Sequence, residues 1–253
     1  MPAAGQFLEA LLLRSVDYGD ADRIVTLLTS GQGKAAFIAR GARRSKKRFG
    51  GALTSFALLR AEVRAGRGQL GTLSQAQVTR AFPRLLGDLD RMSAGYAALE
   101  VVRELTPEHE PVEAVFASTV AMLDALDADG AQPQPLLVCF MAHMMGLAGF
   151  APQLDACGEC GRRPGPEQSG IFDARRGHLV CRACGAAGHK LGGSVRAALA
   201  EASRGDFRVP AGGAWSMRAL GSARDAMRAF IEHRIGKELH ADLLTHAGRN
   251  PKR

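Results

Sequence analysis

The stretch Ile24-Val-Thr-Leu-Leu-Thr-Ser-Gly-Gln-Gly-Lys-Ala-Ala-Phe-Ile-Ala39 holds two short apolar runs with a glycine-rich turn, Ser30–Gly33, between them. Apolar runs of this length, separated by turn residues, predict two β-strands joined by a hairpin. The pattern continues in both directions along the chain. Three further runs have the same character, at Phe7–Leu13, Leu53–Val63 and Leu70–Val78.

These five predicted strands fall within about 75 residues, and no segment between them has a helical period long enough to predict a helix. Such a pattern is typical of a small closed or partly open barrel, and the five-stranded oligonucleotide-binding (OB) barrel is the leading interpretation. An SH3-like barrel would have a similar sequence pattern. We therefore predict an N-terminal OB-fold β barrel over residues 1–80.

Beyond residue 82 the apolar residues recur every three or four positions, which predicts amphipathic helices. One of them, Leu136–Ala148, is apolar all round and is therefore expected at the centre of a bundle. The predicted helices cover residues 85–105, 111–128, 136–148, 194–203 and 216–235. The prediction is an α+β multidomain protein, in which an all-α helical domain (residues 81–150 and 191–246) is interrupted by a cysteine-rich segment (residues 151–190).

Four of the five cysteines form two pairs, Cys157-Gly-Glu-Cys160 and Cys181-Arg-Ala-Cys184. Each Cys-x-x-Cys pair brings two thiolates to one side of a tight turn, and two such pairs complete a tetrahedral site for Zn²⁺. The residues between the pairs predict a short hairpin. A closed shell of four thiolates leaves no position for substrate, so one structural Zn²⁺ is the favoured interpretation. An iron–sulfur cluster and a redox-active dithiol are the alternatives, while Cys139 is expected to be a buried small side chain.

The net charge of +8 is unevenly distributed. Residues 1–80 hold 13 basic and five acidic side chains, and no acidic residue lies between Asp22 and Glu62. Such a local excess of positive charge is typical of a surface that binds the phosphates of nucleic acid, although a merely solvated loop is the alternative.

Phe49 is the aromatic residue expected to stack on a base, whereas Phe7, Phe37 and Phe56 are expected in the core. The predicted nucleic-acid contacts are Lys34, Arg40, Arg43, Arg44, Lys46, Lys47, Arg48 and Phe49, and Arg60, Arg64 and Arg67 would extend the patch.

Motifs of catalysis and of membrane insertion are absent from the sequence. It lacks a Gly-x-x-x-x-Gly-Lys-Ser/Thr loop, a His-Glu-x-x-His helix and a Gly-x-Ser-x-Gly turn, which favours a binding protein over an enzyme. The most apolar stretch, Leu136–Phe150, contains His143 and falls short of the roughly 20 residues that span a bilayer. We expect a soluble cytoplasmic protein.

Several of these features together resemble the bacterial RecO family of recombination mediators. They are Asp20–Leu28 followed by a glycine turn, the cluster Arg40-Gly-Ala-Arg-Arg-Ser-Lys-Lys-Arg48, Phe56, and a helical region interrupted by the four cysteines and followed by Leu191-Gly-Gly-Ser194. The resemblance covers essentially the whole chain. It implies an OB barrel, a helical domain and a zinc finger, with the cations of the 40–48 cluster as DNA contacts. Thr54–Phe56 departs from the family pattern, which leaves the ends of the neighbouring strand open.

The resemblance also implies a function in DNA repair at the nucleoid. Such proteins bind single- and double-stranded DNA, promote annealing, and act with RecR to load RecA onto strands coated by single-strand-binding protein. The acidic C-terminal tail of that protein should need an apolar groove with a cation at its rim, for which Arg103, Arg196 and Arg224 are candidates. An RNA- or ribosome-associated barrel with a zinc knuckle is the alternative function, and a zinc-dependent hydrolase is disfavoured by the four-cysteine shell.

Overall fold

The structure is a computed structural model that describes residues 5–64, 66, 70–185, 187–208 and 215–240, with the backbone alone at Lys46. Arg67 of the predicted patch and residues 241–246 of the predicted helical domain lie outside the described residues. The described residues form two compact units. The first holds those up to Gly87 together with Val102–Asp127, and the second holds Asp88–Val101 and those from Ala128 onward.

A closed barrel of five strands forms most of the first unit. The strands are adjacent in the order β1-β2-β3-β5-β4, and β1 pairs with β4 to close the barrel. All neighbours are antiparallel except β3 and β5, which are parallel. The predicted OB-like barrel is therefore confirmed. Its strands are β1 (Gln6–Tyr18), β2 (Asp22–Thr29), β3 (Gly33–Ala39), β4 (Ala57–Arg64) and β5 (Leu70–Ala81).

Alternation along the strands builds the core of the barrel. Every second residue of β3 and of β4 is buried, as expected of strands with one face inward. Phe37, Leu59 and Leu73 are all at most 3% exposed and belong to one apolar cluster inside the barrel. Phe56 is also buried, as predicted.

The barrel differs from the prediction at two places. Strand β4 begins at Ala57 rather than Leu53, because Phe56 has a φ of 62° and this left-handed backbone cannot continue a strand. Phe7 was expected in the core, which is wrong. It is 46% exposed on β1, because its neighbour Leu8 takes the inward position.

Short and long helices complete the first unit. They include α1 (Lys46–Phe49), α2 (Pro83–Leu86), the end of α3 (Leu89–Leu105) and α4 (Glu113–Asp127). The single helix predicted from residue 85 to 105 is thus divided near Gly87. The backbone N–H of Leu85 donates to Asp127 Oδ1 at 2.8 Å, which ties α2 to the end of α4.

The second unit is built around α5 (Pro133–Leu147), which packs against α6 (Gly193–Arg204) and α7 (Met217–Ile235). Ten consecutive residues of α5, from Leu136 to Met145, are buried, which confirms its central position. Gly146 allows α6 to approach, since a Cβ there would lie 2.0 Å from the carbonyl oxygen of Ser203. Cys139 is 1% exposed, and burial raises the pKa of its thiol to about 12.

The cysteine-rich segment of the second unit forms a four-stranded sheet in the order β6-β8-β7-β9. Strands β7 and β8 are antiparallel, which confirms the predicted hairpin. We call residues 153–191 the finger; its strands are β6 (Gln153–Cys157), β7 (Gly170–Asp173), β8 (His178–Val180) and β9 (His189–Leu191). Among the described residues, every helix is too short or too polar to cross a membrane.

Candidate nucleic-acid interface and metal centre

The segment Arg40–Arg48, which we call the basic loop, leaves the barrel after β3 and is held by the hairpin between β1 and β2. The N–H of Gly41 donates to Asp22 Oδ1 at 2.7 Å, and the N–H of Arg43 donates to the carbonyl of Ala21 at 3.0 Å. The loop then enters α1, whose N-cap Ser45 accepts from the N–H of Arg48. These bonds fix the backbone of the loop, so its cations project from an ordered segment.

The cations of the basic loop differ in what they contact. Arg40, Arg44 and Lys47 are exposed and pair with no carboxylate of the described residues. Arg43 lies 3.6 Å from Asp17, and Arg48 donates to the carbonyl of Arg40 at 2.8 Å. The structure therefore leaves at least three cations of the loop available to an anion.

Two of the predicted DNA contacts, Lys34 and Phe49, are instead in contact with other parts of the first unit. Lys34 is half-buried on β3, and its ammonium donates to the carbonyl of Arg103 at 2.6 Å, so it already has a partner within the first unit. Phe49 is 2% exposed and belongs to the apolar cluster inside the barrel, with the guanidinium of Arg48 5.2 Å from its ring. This corrects the prediction for Phe49, because a ring buried in the core presents no face to a base.

Two aromatic residues that the sequence analysis did not assign to the interface, Tyr18 and Phe7, are exposed on the barrel. Tyr18 is 55% exposed at the end of β1, between Asp17 and Ala21, which both contact Arg43. Phe7 carries the guanidinium of Arg60 at 4.6 Å from its ring. The position of Tyr18 in the turn Asp17-Tyr-Gly-Asp20 was the available signal, because aromatic side chains in a tight turn have little core to enter.

The finger brings together Cys157, Cys160, Cys181 and Cys184, whose sulfur atoms all lie within 4.8 Å of one another. Cys160 Sγ and Cys181 Sγ are 3.8 Å apart. Sulfurs bound at about 2.3 Å around a tetrahedral zinc ion are separated by about 3.8 Å, so the distance fits such an ion. The four cysteines are therefore close enough to hold one metal ion.

Hydrogen bonds favour thiolates at part of this cluster. The N–H of Cys181 lies 3.4 Å from Cys157 Sγ, and this bond, together with one from the backbone of Cys160, lowers the pKa of Cys157 to about 6. Hydrogen bonds to the sulfurs of Cys181 and Cys160 raise the pKa of Cys184 above its ordinary value.

Arg196 of α6 is not at the rim of a groove, in contrast to the expectation for it. It is 6% exposed, and its guanidinium donates to the carbonyls of Leu154 at 2.7 Å and Gly165 at 2.9 Å. A buried guanidinium that donates to backbone carbonyls in this way is a structural link. It ties the finger to α6, which leaves Arg103 and Arg224 as candidates for the rim.

Comparison with known proteins agrees with this architecture. Residues 7–82 match the family model described as "Recombination protein O N terminal", and residues 86–242 match "Recombination protein O C terminal". The chain is similar to proteins named DNA repair protein RecO from Anaeromyxobacter sp. (43% identity, 92% of this chain and 93% of the relative) and Myxococcus xanthus (36% identity, 95% and 97%). A relative with the same name from Geobacter sulfurreducens is 37% identical over 72% of this chain and 74% of its own. With both domain models matched in order and identities of this size over nearly the whole length, the chain belongs to the RecO family of DNA repair and recombination proteins.

Proposed function

We propose that this protein is a recombination mediator that binds single- and double-stranded DNA, promotes strand annealing and helps to load RecA onto strands coated by single-strand-binding protein. The observation that carries the proposal is the basic loop. In a chain of the RecO family, Arg40, Arg44 and Lys47 project from an ordered segment of a barrel without a carboxylate partner among the described residues.

The proposed activity needs no covalent chemistry. Two DNA strands that anneal must first overcome the repulsion between their phosphates, and a cationic surface lowers that barrier for any sequence. Lys and Arg side chains release condensed counterions when they neutralise phosphates, which makes such binding steeply dependent on salt. We therefore propose a DNA-binding protein that is not an enzyme.

The interface that we propose consists of Arg40, Arg43, Arg44, Lys47 and Arg48, with Lys46 included on its position in the loop alone. Lys34 contributes to the charge of the barrel, although its ammonium is bonded to the first unit. Tyr18 takes the stacking position that the sequence assigned to Phe49.

The metal and the partners are also part of the proposal. We infer that the four cysteines hold one structural Zn²⁺, since four thiolates around a tetrahedral position suit that ion. Residues 1–80, residues 81–150 with 191–246, and residues 151–190 are the proposed functional domains. RecR and the acidic tail of single-strand-binding protein are the proposed protein partners, with the nucleoid in the cytoplasm as the place of action.

Reversing the charge of the basic loop tests the proposal. In the variant Arg40→Glu/Arg44→Glu/Lys47→Glu, annealing of complementary oligonucleotides should fall more than about tenfold. The slope of log affinity for single strands against log salt should change from roughly −4 to roughly −2, because three of about six phosphate contacts are lost. Annealing by strand-pairing fluorescence and affinity by anisotropy measure the two quantities.

A matched control separates the position of the charges from their number. Arg14, Arg175 and Arg218 are exposed, lie outside the basic loop and pair with no carboxylate of the part of the chain that the structure describes. The variant Arg14→Glu/Arg175→Glu/Arg218→Glu changes the net charge equally and should retain most of the annealing. Equal loss in both variants, or full annealing by a folded loop variant, would contradict the proposed site.

The RNA- or ribosome-associated alternative is not favoured by the relatives described above. It is tested by competition between single-stranded DNA and RNA of the same sequence at equal salt. Preference for the RNA, together with absence of annealing, would overturn the proposal of a DNA repair mediator.

A further inference from the structure

The finger contains a cleft that no residue of the basic loop lines. Its volume is about 410 Å³, and it is lined in part by Cys157 and Cys181, two of the four clustered cysteines. Buried Leu179 and Val180 give it an apolar lining, together with half-buried Ile171. This volume and lining are within the range of sites that take small ligands or parts of larger ones.

Four cations line this cleft, namely Arg162, Arg163, Arg182 and Lys190, and its lining contains no acidic residue. All four are exposed, and none of them pairs with a carboxylate within the described ranges. The neighbouring Arg176 behaves differently, since it lies within 3.6 Å of both Glu159 and Asp173. The charge of the cleft is therefore uncompensated, whereas that of the adjacent turn is compensated.

The backbone around the cleft is held by the two cysteine turns and the sheet. The carbonyl of Arg162 accepts from the N–H of Cys157 at 2.8 Å, and Arg182 lies within the turn that joins Cys181 to Cys184. Lys190 pairs with Ile171 across β7 and β9, and its carbonyl accepts from Ser222 Oγ at 2.7 Å. The cations consequently project from an ordered backbone, as those of the basic loop do.

We infer that this finger cleft binds the sugar–phosphate backbone of single-stranded DNA, as a second strand site in addition to the basic loop. The inference rests on the proposed function, because it assigns a second surface to the same ligand. Three of the four cations are arginines, whose planar guanidinium suits phosphate oxygens. The apolar lining suits an unpaired base or sugar, whereas a duplex keeps its bases stacked inside.

A purely structural role for these cations is the competing explanation. Four thiolates around a divalent ion carry two net negative charges, and nearby guanidinium groups offset them. If Arg163 and Lys190 only offset this charge, their replacement would lower the retention of zinc and would leave the affinity for DNA unchanged at full zinc content. The two explanations therefore differ in measurable ways.

The test compares two full-length variants with equal net charge. The cleft variant is Arg163→Glu/Lys190→Glu, and the control is Arg175→Glu/Arg218→Glu, which changes exposed cations outside the cleft. A fluorescein-labelled oligothymidylate is titrated at several salt concentrations, and zinc is measured in each sample by elemental analysis. We expect the cleft variant to keep its zinc, to bind the oligothymidylate about tenfold more weakly and to lose about 1.4 from its salt slope. The control should bind as the parent protein does.

Several outcomes would overturn the inference. One is that the cleft variant binds the oligothymidylate as the parent protein does, and another is that the control variant weakens binding equally. A third is that zinc is lost in parallel with binding both in Arg163→Glu/Lys190→Glu and in Arg163→Gln/Lys190→Gln. A fourth is that an acidic peptide displaces the labelled oligothymidylate whereas unlabelled oligothymidylate does not. The basic-loop variant is measured beside them. If it loses annealing while the cleft variant binds normally, the proposed function stands and only the second site fails.

Discussion

The basic loop and the finger cleft both present unpaired cations, but their backbones are fixed by different means. The loop is held by hydrogen bonds from Gly41 and Arg43 to the hairpin beside it. The cations of the cleft lie beside two cysteine turns, which bring four sulfurs within 4.8 Å of one another, close enough to hold one metal ion. One surface is therefore intrinsic to the barrel, whereas we propose that the other depends on the Zn²⁺ assigned to the four cysteines.

This difference separates two requirements for binding a polyanion. Charge can be supplied by any arginine-rich segment, but an ordered surface also needs a backbone whose conformational entropy has already been lost. In the barrel that entropy cost is met by the sheet and its core. In the finger we expect metal–thiolate bonds to meet part of it, and the buried guanidinium of Arg196 adds a second link to α6.

Removal of the proposed Zn²⁺ should produce the largest effect. The variant Cys160→Ser/Cys184→Ser takes one ligand from each pair at positions that are not fully buried, so it creates no cavity. Because structural zinc contributes roughly 10–16 kcal/mol to folding in such sites, we expect the finger to lose protection from hydrogen exchange while the barrel strands keep theirs. Exchange measured by mass spectrometry for residues 153–191 and 6–64 checks this.

A matched control uses the fifth cysteine. Cys139 is buried in α5 outside the cluster, so Cys139→Ala removes a thiol without removing a ligand and should leave exchange in the finger unchanged. Single-strand binding by the zinc-free variant should keep the contribution of the basic loop and lose that of the finger cleft. Loss of protection in the barrel would show that the two surfaces are not independent.

The two aromatic residues near the basic loop give the next effect. Substitution of Phe49 should lower the stability of the barrel, whereas substitution of Tyr18 should lower the affinity for single strands. Phe49→Ala should cost about 3–5 kcal/mol of barrel stability, because it opens a cavity in the core. Tyr18→Ala should change stability by less than about 0.5 kcal/mol but weaken single-strand binding by about 1–3 kcal/mol, the effect of losing one stacked base.

Urea unfolding and oligothymidylate anisotropy measure these two quantities. Tyr18→Phe keeps the ring and should bind nearly as the parent protein does. If Tyr18→Ala binds normally, stacking is not part of the interface. If Phe49→Ala binds weakly at full stability, the buried position of Phe49 changes when DNA binds.

These aromatics also show where prediction from sequence stops. The barrel and the cysteine cluster could be predicted because strand alternation and Cys-x-x-Cys spacing are local patterns. The fate of Phe49 could not, since its burial depends on how α1 packs against the barrel. The orientation of Phe7 depends on which residues of β1 face inward, and its neighbour Leu8 takes the inward position. Arg196 appeared to be a surface cation for the same reason. Its carbonyl partners at Leu154 and Gly165 lie 42 and 31 residues away along the chain.

Acid should affect the second unit more than the barrel. Burial lowers the pKa of His143 below its ordinary 6.5, although a hydrogen bond with the carbonyl of Ala202 at 3.0 Å and the charge of Asp206 partly oppose this. Well above pH 6.5 the residue is neutral in both folded and unfolded chains, and stability does not depend on its titration. As the pH falls below 6.5, the unfolded chain takes up the proton more readily, so stability falls by at most about 1.4 kcal/mol per pH unit.

Fluorescence of Trp215, the single tryptophan, reports unfolding of the second unit. His143→Gln retains a donor for Ala202 but cannot titrate, so its stability between pH 5 and 6.5 should fall less steeply than that of the parent protein. The predicted barrel domain, residues 1–80, contains no histidine and provides the comparison. Parallel pH profiles for the two proteins would exclude His143 as the source.

The smallest expected effect concerns Asp17, the carboxylate that compensates part of the basic loop. It lies 3.0 Å from Arg23 and 3.6 Å from Arg43, and all three side chains are substantially exposed, so each pair contributes little to stability. Asp17→Asn should leave unfolding nearly unchanged and raise the affinity for single strands about twofold, because Arg43 then offers its full charge to a phosphate.

Asp20→Asn removes an equal charge from the same turn, but Asp20 contacts Arg43 only through its carbonyl. If the affinity for single strands rises more in Asp17→Asn than in Asp20→Asn at low salt, and the difference vanishes at high salt, the pairing of Asp17 with Arg43 is the cause rather than the net charge. Equal gains in affinity would mean that Arg43 is already available in the parent protein.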